Sequence, residues 1–267
     1  MRAEPLDWRR IAAEAGADVV WHEETGSTND DARQLALSGA GHGTAVFADA
    51  QREGRGRRGA VWESPPMRNL LCSVVLRPSL PVEKWARLTH ACALAICEVL
   101  ESIPDLPAPQ IKWPNDIYLS ERKVCGILVE STLNAQDGFA VAGAGVNLNL
   151  TASDFPGTLR DTATSVWLER GGQPVSREDF AVHFLRRLRA QCIRADTDFS
   201  GILMECDSRS FLNGKRISLI SAGLVREGTA DGMGPEGELR MVTDDGHAEL
   251  VTSADFVRPT AQRDAAS

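Results

Sequence analysis

The densest chemistry in the chain is a run of arginines set between glycines, Gly54-Arg55-Gly56-Arg57-Arg58-Gly59. Glycines let backbone N–H groups approach an anion closely. Arginine forks grip phosphate or carboxylate through paired, charge-assisted hydrogen bonds. Crowding these cations has a self-repulsion cost of order ~1 kcal/mol per close exposed pair, which a polyanion such as a nucleotide offsets. By pattern the run matches the three-glycine dinucleotide fingerprint, but that motif needs a helix directly behind it. Here Val61-Trp62-Glu63-Ser64-Pro65-Pro66 follows, and paired prolines block a helix. No Gly-Lys-Ser/Thr closes the run, so it is not a P-loop. A solvated basic loop is the reading without a ligand.

Three further constellations carry polar groups into apolar surroundings. In Lys112-Trp113-Pro114-Asn115-Asp116, Pro114 should end a strand and leave Lys112 beside a polar turn. Lys112 is then a surface lysine or one facing a cleft, and Asn115 and Asp116 serve as turn-formers. In Arg122-Lys123-Val124-Cys125-Gly126-Ile127-Leu128-Val129-Glu130, Lys123 opens an apolar strand. Gly126 within it implies a bulge or the close approach of another group. In Ala142-Gly143-Ala144-Gly145-Val146-Asn147-Leu148-Asn149, alternate glycines bare one strand face. That face suits either a flat or chain-like ligand or tight sheet packing. Asn147 and Asn149 share a face and need partners.

The elements that must position these residues follow from periodicity and breakers. Strands are expected over residues 19–22, 44–50, 70–76, 110–113, 123–131 and 139–150. Helices are expected over 8–15, over 30–37 with Thr28 or Asn29 as its cap, and over 82–100 and 177–194. Beyond Phe211, short β-prone pieces (216–220, 224–229, 238–242, 248–252) alternate with turns. They read as a small antiparallel barrel or sandwich, followed by a frayed tail from about residue 260.

The chain has 267 residues, room for one large domain or two unequal ones. Its net charge of −8 argues against a general nucleic-acid binder. No apolar run is long enough for a membrane helix, and the first residues lack a signal peptide's apolar stretch. The six cysteines form no Cys-x-x-Cys pair and read as reduced, buried thiols of a cytoplasmic protein. The five histidines are scattered, so no protein-built metal site is expected, although oxygen-ligated magnesium leaves no clear signature.

Taken together and in order, these segments resemble a biotin–protein ligase. The likeness runs through Gly26-Ser27-Thr28-Asn29, Gln51 with 54–59, 112–116, Lys123 with 126–130, Gly143-Ala144-Gly145-Val146-Asn147 and, more weakly, Thr164-Ser165-Val166. It implies an α+β fold, a mixed β-sheet flanked by helices of the class II aminoacyl-tRNA synthetase-like, biotin/lipoate ligase type. Residues 1–207 would form the catalytic unit and residues 208–267 a small SH3-like barrel. It implies ATP and biotin as substrates with Mg2+, biotinyl-5′-AMP as intermediate, and a biotin carboxyl carrier protein as acceptor, with no DNA or membrane partner. About 25 residues precede Ser27, too few for a helix-turn-helix domain, so the likeness is to the monofunctional class. Many family members place a glycine where Met67-Arg68 stands here.

By the same resemblance, Ser27, Thr28, Asn29 and Gln51 meet the ureido end of biotin. Arg55, Gly56 and Arg57 contact biotin and the acyl phosphate. Lys123 reaches the carboxylate or phosphate ester, and Gly126, Gly143 and Gly145 lie along the ring and valeryl chain. Arg58, Trp62, Lys112 and Asn147 belong to the ATP side. Arg57, Lys112 and Lys123 would carry catalysis, with the loop 54–66 ordering over the ligand. Two other readings compete: a lipoate or octanoate ligase of the same fold, and a non-catalytic anion- or RNA-binding module. Gln51 and the 27–29 cluster favour a polar bicyclic head over an apolar dithiolane.

Overall fold

In the computed structural model, which describes residues 4–133, 138–221 and 223–260, the apolar runs pair into one mixed sheet. Its strands are β1 (Val19–Thr25), β2 (Ala45–Gln51), β3 (Leu70–Leu76), β4 (Gln110–Lys112), β5 (Asp116–Leu119), β6 (Arg122–Leu133) and β7 (Gly138–Val146). They lie in the order β1-β2-β3-β7-β6-β5-β4. β1 is parallel to β2, and the other neighbours are antiparallel. The helices are α1 (Trp8–Ala15), α2 (Thr28–Leu37), α3 (Arg87–Glu101), α4 (Val166–Glu169), α5 (Arg177–Thr197) and α6 (Phe199–Ser208). No helix among the described residues is long and apolar enough to cross a membrane.

Side chains alternate between the faces of a strand, and here the two faces are used differently. Leu70, Cys72, Val74 and Leu76 of β3 share the main core with Ala140, Ala142, Ala144 and Val146 of β7. α3, apolar on almost every side, is buried against this face, and α5 packs on it. On the other face, Ala32 and Ala36 of α2 cover Val46, Val75, Phe139 and Val141. Past the first turn of α2 that cover ends. The pairs found there are Ser73 with Gly143, Leu71 with Gly145, Gly126 with Gly145 and Leu128 with Gly143. The small residues cut a trough into the sheet.

The N-terminal segment is fastened by a buried charge. The fully buried Asp49 carboxylate pairs with Arg177 at 2.6 Å and accepts the Leu6 N–H and the Trp21 indole N–H. The C-terminal strands β8 (Arg216–Ser221), β9 (Leu224–Met233), β10 (Leu239–Val242), β11 (Ala248–Val251) and β12 (Phe256–Pro259) form an antiparallel sheet ordered β11-β10-β9-β8-β12. Its core admits Trp113 from the turn after β4, whose indole N–H donates to Gly237 O at 3.0 Å.

Several boundaries differ from the sequence reading. Ser27, not Thr28 or Asn29, is the cap of α2, so those two side chains sit inside the first turn and face the trough. The helix expected from residue 82 starts at Arg87, because a single 3₁₀ turn follows Pro81. The strand expected to residue 150 stops at Val146. Asn147 and Asn149 lie beyond it, where Asn147 N–H bonds Val124 O and the Asn149 amide bonds Val175.

Candidate functional site

The trough opens into a cavity of about 320 Å³ between the sheet, the arginine loop, the β4–β5 hairpin and the turn before β12. One end is polar and hydrogen-bonding. Gln51 Oε1 accepts from both the backbone N–H and the hydroxyl of Thr28, at 2.8 and 2.9 Å. This satisfies an N–H in the first turn of α2 that has no helical partner. Asn29 donates to Glu130 at 2.8 Å, and the Ser73 hydroxyl lies 2.6 Å from Asn29 Oδ1. A Cβ on Gly143 would stand 2.1 Å from that oxygen. Gly143 is therefore bare so that Asn29 can reach across the sheet. Arg55 pairs with Asp30 at 2.8 Å and Glu130 at 3.3 Å, bracing the same network.

The middle of the cavity holds the Trp62 indole. A Cβ on Gly145 would lie 2.6 Å from that ring, and one on Gly126 3.0 Å from it. The close approach expected at Gly126 is thus made by Trp62 within the protein. The bulge of this strand pair lies earlier: Ile117 pairs with Cys125 but Tyr118 with Lys123, leaving Val124 as the extra residue. The Trp62 Nε1 atom is buried without a hydrogen-bond partner.

The far end is cationic. Lys123 pairs with Asp116 at 2.7 Å. Lys112 donates to the Tyr118 hydroxyl at 3.0 Å, and Arg57 reaches Asn115 Oδ1 at 3.4 Å. Neither Lys112 nor Arg57 has a carboxylate at ion-pair distance among the described residues. Burial lowers the pKa of Lys112. Burial, then the neighbouring Arg58, lowers that of Arg57. Burial, then Asp116, pushes the Tyr118 phenol up to about 12. Asp116 acts on Lys112 and Arg57 from a distance and partly offsets their lowering, but neither cation has a carboxylate at pairing distance among the described residues, an arrangement that favours an incoming anion.

A model of the Biotin/lipoate A/B protein ligase family matches residues 21–147. The chain is 30% identical to the Biotin--[acetyl-CoA-carboxylase] ligase of Mycobacterium tuberculosis, over 94% of either chain. It is 32% identical to the Bifunctional ligase/repressor BirA of Bacillus subtilis, over 90% of this chain and 74% of that one. The structure superposes with a TM-score of 0.78 and 27% identity on the biotin protein ligase from Aquifex aeolicus in complex with biotin and ATP. That match covers 91% of this chain and 99% of that one. The chain belongs to the biotin protein ligase family. Its mixed sheet flanked by helices and its C-terminal five-stranded sheet are the fold of that family.

Of the ligase residues inferred from sequence, Ser27, Thr28, Asn29, Gln51, Arg55, Gly56, Arg57, Trp62, Lys112, Lys123, Gly126, Gly143 and Gly145 line the cavity. Arg58 and Asn147 are not in its walls. Arg58 turns to the barrel and pairs with Asp255. Asn147 spends its amide on Asn69 and on Thr164 O, so the partners it needed are protein groups. The sequence reading missed Ser73, Tyr118, Glu130 and Asp255 as groups that shape the site. Ser73 had a signal, one hydroxyl in the otherwise apolar stretch Leu70–Leu76. Glu130 had none beyond its place at the end of the third motif. Asp255 belongs to a separate sheet, and nothing local ties it to Arg58.

Proposed function

We propose that the chain activates biotin with MgATP and passes it to a lysine of a biotin carboxyl carrier protein. The observation that carries this reading is the pair of half-buried cations, Arg57 and Lys112, that have no ion-pair partner among the described residues, at the end of a glycine trough whose other end is polar and hydrogen-bonding. A long ligand with a polar head, an apolar middle and an anionic end matches that sequence of environments. The related ligase of Aquifex aeolicus has been solved in complex with biotin and ATP, and that of Leishmania major with biotinyl-5-AMP.

In the first step, a biotin carboxylate oxygen attacks the α-phosphorus of ATP. A new P–O bond forms, the bond to the β-phosphate oxygen breaks, and pyrophosphate leaves with its electron pair. The product is biotinyl-5′-AMP. In the second step, a neutral lysine amine attacks the acyl carbon, an amide bond forms, AMP leaves and the amine proton passes to solvent. Both nucleophiles come with the substrates, so the protein contributes position and charge. Ser27, Thr28, Asn29 and Gln51 hold the ureido head. Gly143 admits Asn29 to the ureido end, and Gly126 and Gly145 admit the Trp62 indole beside the ring and chain. Arg55 and Gly56 shape that end, and Arg57, Lys112 and Lys123 neutralise the meeting anions. Trp62 and Arg58 serve the nucleotide side, and Asn147 acts through the loop it braces.

Mg2+ arrives on the nucleotide as part of the substrate. Among the described residues, no group of three His, Cys, Asp or Glu side chains could hold a metal. Asp116 offers one oxygen in the cavity, which suits an ion that keeps phosphates and water as its other ligands. We assign catalysis to residues 1–207 and the separate barrel to residues 208–267. The test is incubation with biotin, MgATP and a carrier domain. Biotin on the carrier lysine is the expected result, and lipoate in its place should give little product. Carrier that stays unmodified under these conditions overturns the reading.

A further inference from the structure

The arginine loop is tied to the barrel by one ion pair, Arg58 with Asp255. Asp255 stands in the turn before β12, and its backbone N–H donates to Ile220 O at 2.7 Å, which anchors it on the barrel. Asp255, like Arg57, lines the cavity. Arg58 makes this pair from a left-handed backbone, φ 55°, which residues other than glycine ordinarily avoid. Four positions on, the Trp62 indole fills the space over Gly145 while its N–H has no acceptor. The loop thus has an unusual backbone and an unsatisfied buried donor, and the Asp255 carboxylate, whose Oδ1 is buried with no hydrogen-bond partner, lies against the Arg58 guanidinium.

We infer that Asp255 is a stand-in anion. It holds Arg58, and with it the loop, while the site is empty, and it yields Arg58 to a phosphate of the nucleotide. The inference rests on the ATP-dependent reading above. A carboxylate and a phosphate present similar oxygens to a guanidinium, but a triphosphate carries more charge and more acceptors, so the exchange favours the nucleotide. Asp255 thereby sets the concentration of nucleotide needed to recruit Arg58. It is a positioning residue acting through Arg58.

The test is calorimetric titration of the full chain with MgATP, without biotin, for the wild type, Asp255→Asn, Arg58→Ala and the double variant. Asp255→Asn should tighten ATP binding about five-fold, the factor an exposed ion pair of ordinary strength supplies. Arg58→Ala should weaken it, and adding Asp255→Asn to Arg58→Ala should then change nothing beyond about two-fold. Asp255→Ser replaces Asp255→Asn if the latter does not fold. An unchanged or weakened affinity in Asp255→Asn overturns the inference. So does an equal gain with and without Arg58, which would make Asp255 a general source of repulsion. Because the readout is binding, a wild type that binds ATP but never biotinylates a carrier would sink the functional reading and leave this measurement valid.

Discussion

Replacing Arg57 with alanine separates a role in binding from a role in folding, because the two predict different signs for stability. The Arg57 guanidinium is half-buried and, among the described residues, hydrogen-bonds only the Asn115 side-chain oxygen, at 3.4 Å. Burial and the neighbouring Arg58 lower its pKa by more than Asp116 raises it, so the folded protein carries this charge at some cost. Deleting it relieves that cost and loses only the packing of its aliphatic stem. Stability should therefore stay within about 0.5 kcal/mol of wild type or rise. Adenylate formation should fall about 10²–10³-fold, the usual effect of losing one preorganised charge contact. Lys123→Ala makes the control. It should lose a similar factor in rate, but it also strands Asp116, now paired at 2.7 Å, and should lose up to about 1 kcal/mol of stability. Single-turnover pyrophosphate release gives the rates, and thermal unfolding gives the stabilities. For a chain of this size 1 kcal/mol corresponds to about 2–4 °C in Tm. A rate for Arg57→Ala within about three-fold of wild type, or a Tm lowered by more than about 5 °C, would refute the reasoning.

Gly143→Ala would place a methyl 2.1 Å from Asn29 Oδ1, and the Asn29 amide is held by Glu130. Overpacking of about 1–3 kcal/mol should appear as lower stability in urea and weaker biotin binding by calorimetry. Arg177→Met leaves the fully buried Asp49 carboxylate without its 2.6 Å partner. It should cost about 3–5 kcal/mol in urea unfolding, with turnover retained in the fraction that stays folded. Met67 holds φ 61°, a left-handed backbone that favours glycine, so Met67→Gly should raise stability by up to about 1 kcal/mol, read as a higher urea midpoint. Burial pushes His90 down to about 4 from an ordinary 6.5, so only the unfolded chain takes up its proton between those values. This contribution to stability is complete above pH 6.5 and declines by about 3 kcal/mol as pH falls to about 4. His90→Asn should flatten that part of the urea-midpoint profile.

The motifs were legible because each is a local departure from what a strand or helix needs: glycines where bulk is expected, a lysine opening an apolar run, amides in an apolar segment. Their convergence was not, because it depends on which strands neighbour each other. β7 lies between β3 and β6, and only that order brings Ser73, Gly126, Gly143 and Gly145 onto one trough. The bare faces of Gly143 and Gly145 pointed to something close by without saying what, and the structure puts Asn29 over one and Trp62 over the other. The elements missed had weak local signals. β5 hides Ile117 and Leu119, both fully buried, among turn-forming neighbours. α6 follows α5 through Asp198 alone, with no glycine or proline to announce a second helix. β12 ends on Pro259, which is tolerated because β12 is an edge strand.

The acidic chain and its basic cavity explain each other. Arg55 is held by Asp30 and Glu130, Lys123 by Asp116 and Arg58 by Asp255. Those carboxylates come from α2, β6, β5 and the barrel, so counter-charge reaches the cluster from four directions. Each pair lowers the repulsion of assembling the cations before any ligand is present. Arg57 and Lys112 feel Asp116 only at a distance and have no direct ion pair among the described residues, and they are the two whose burial penalises their charge. A cluster neutralised throughout would offer an anion little, and one neutralised nowhere would strain the fold. Pairing three cations and sparing two concentrates the unmet field at one end of the trough, where the proposed reaction would bring its two anions together.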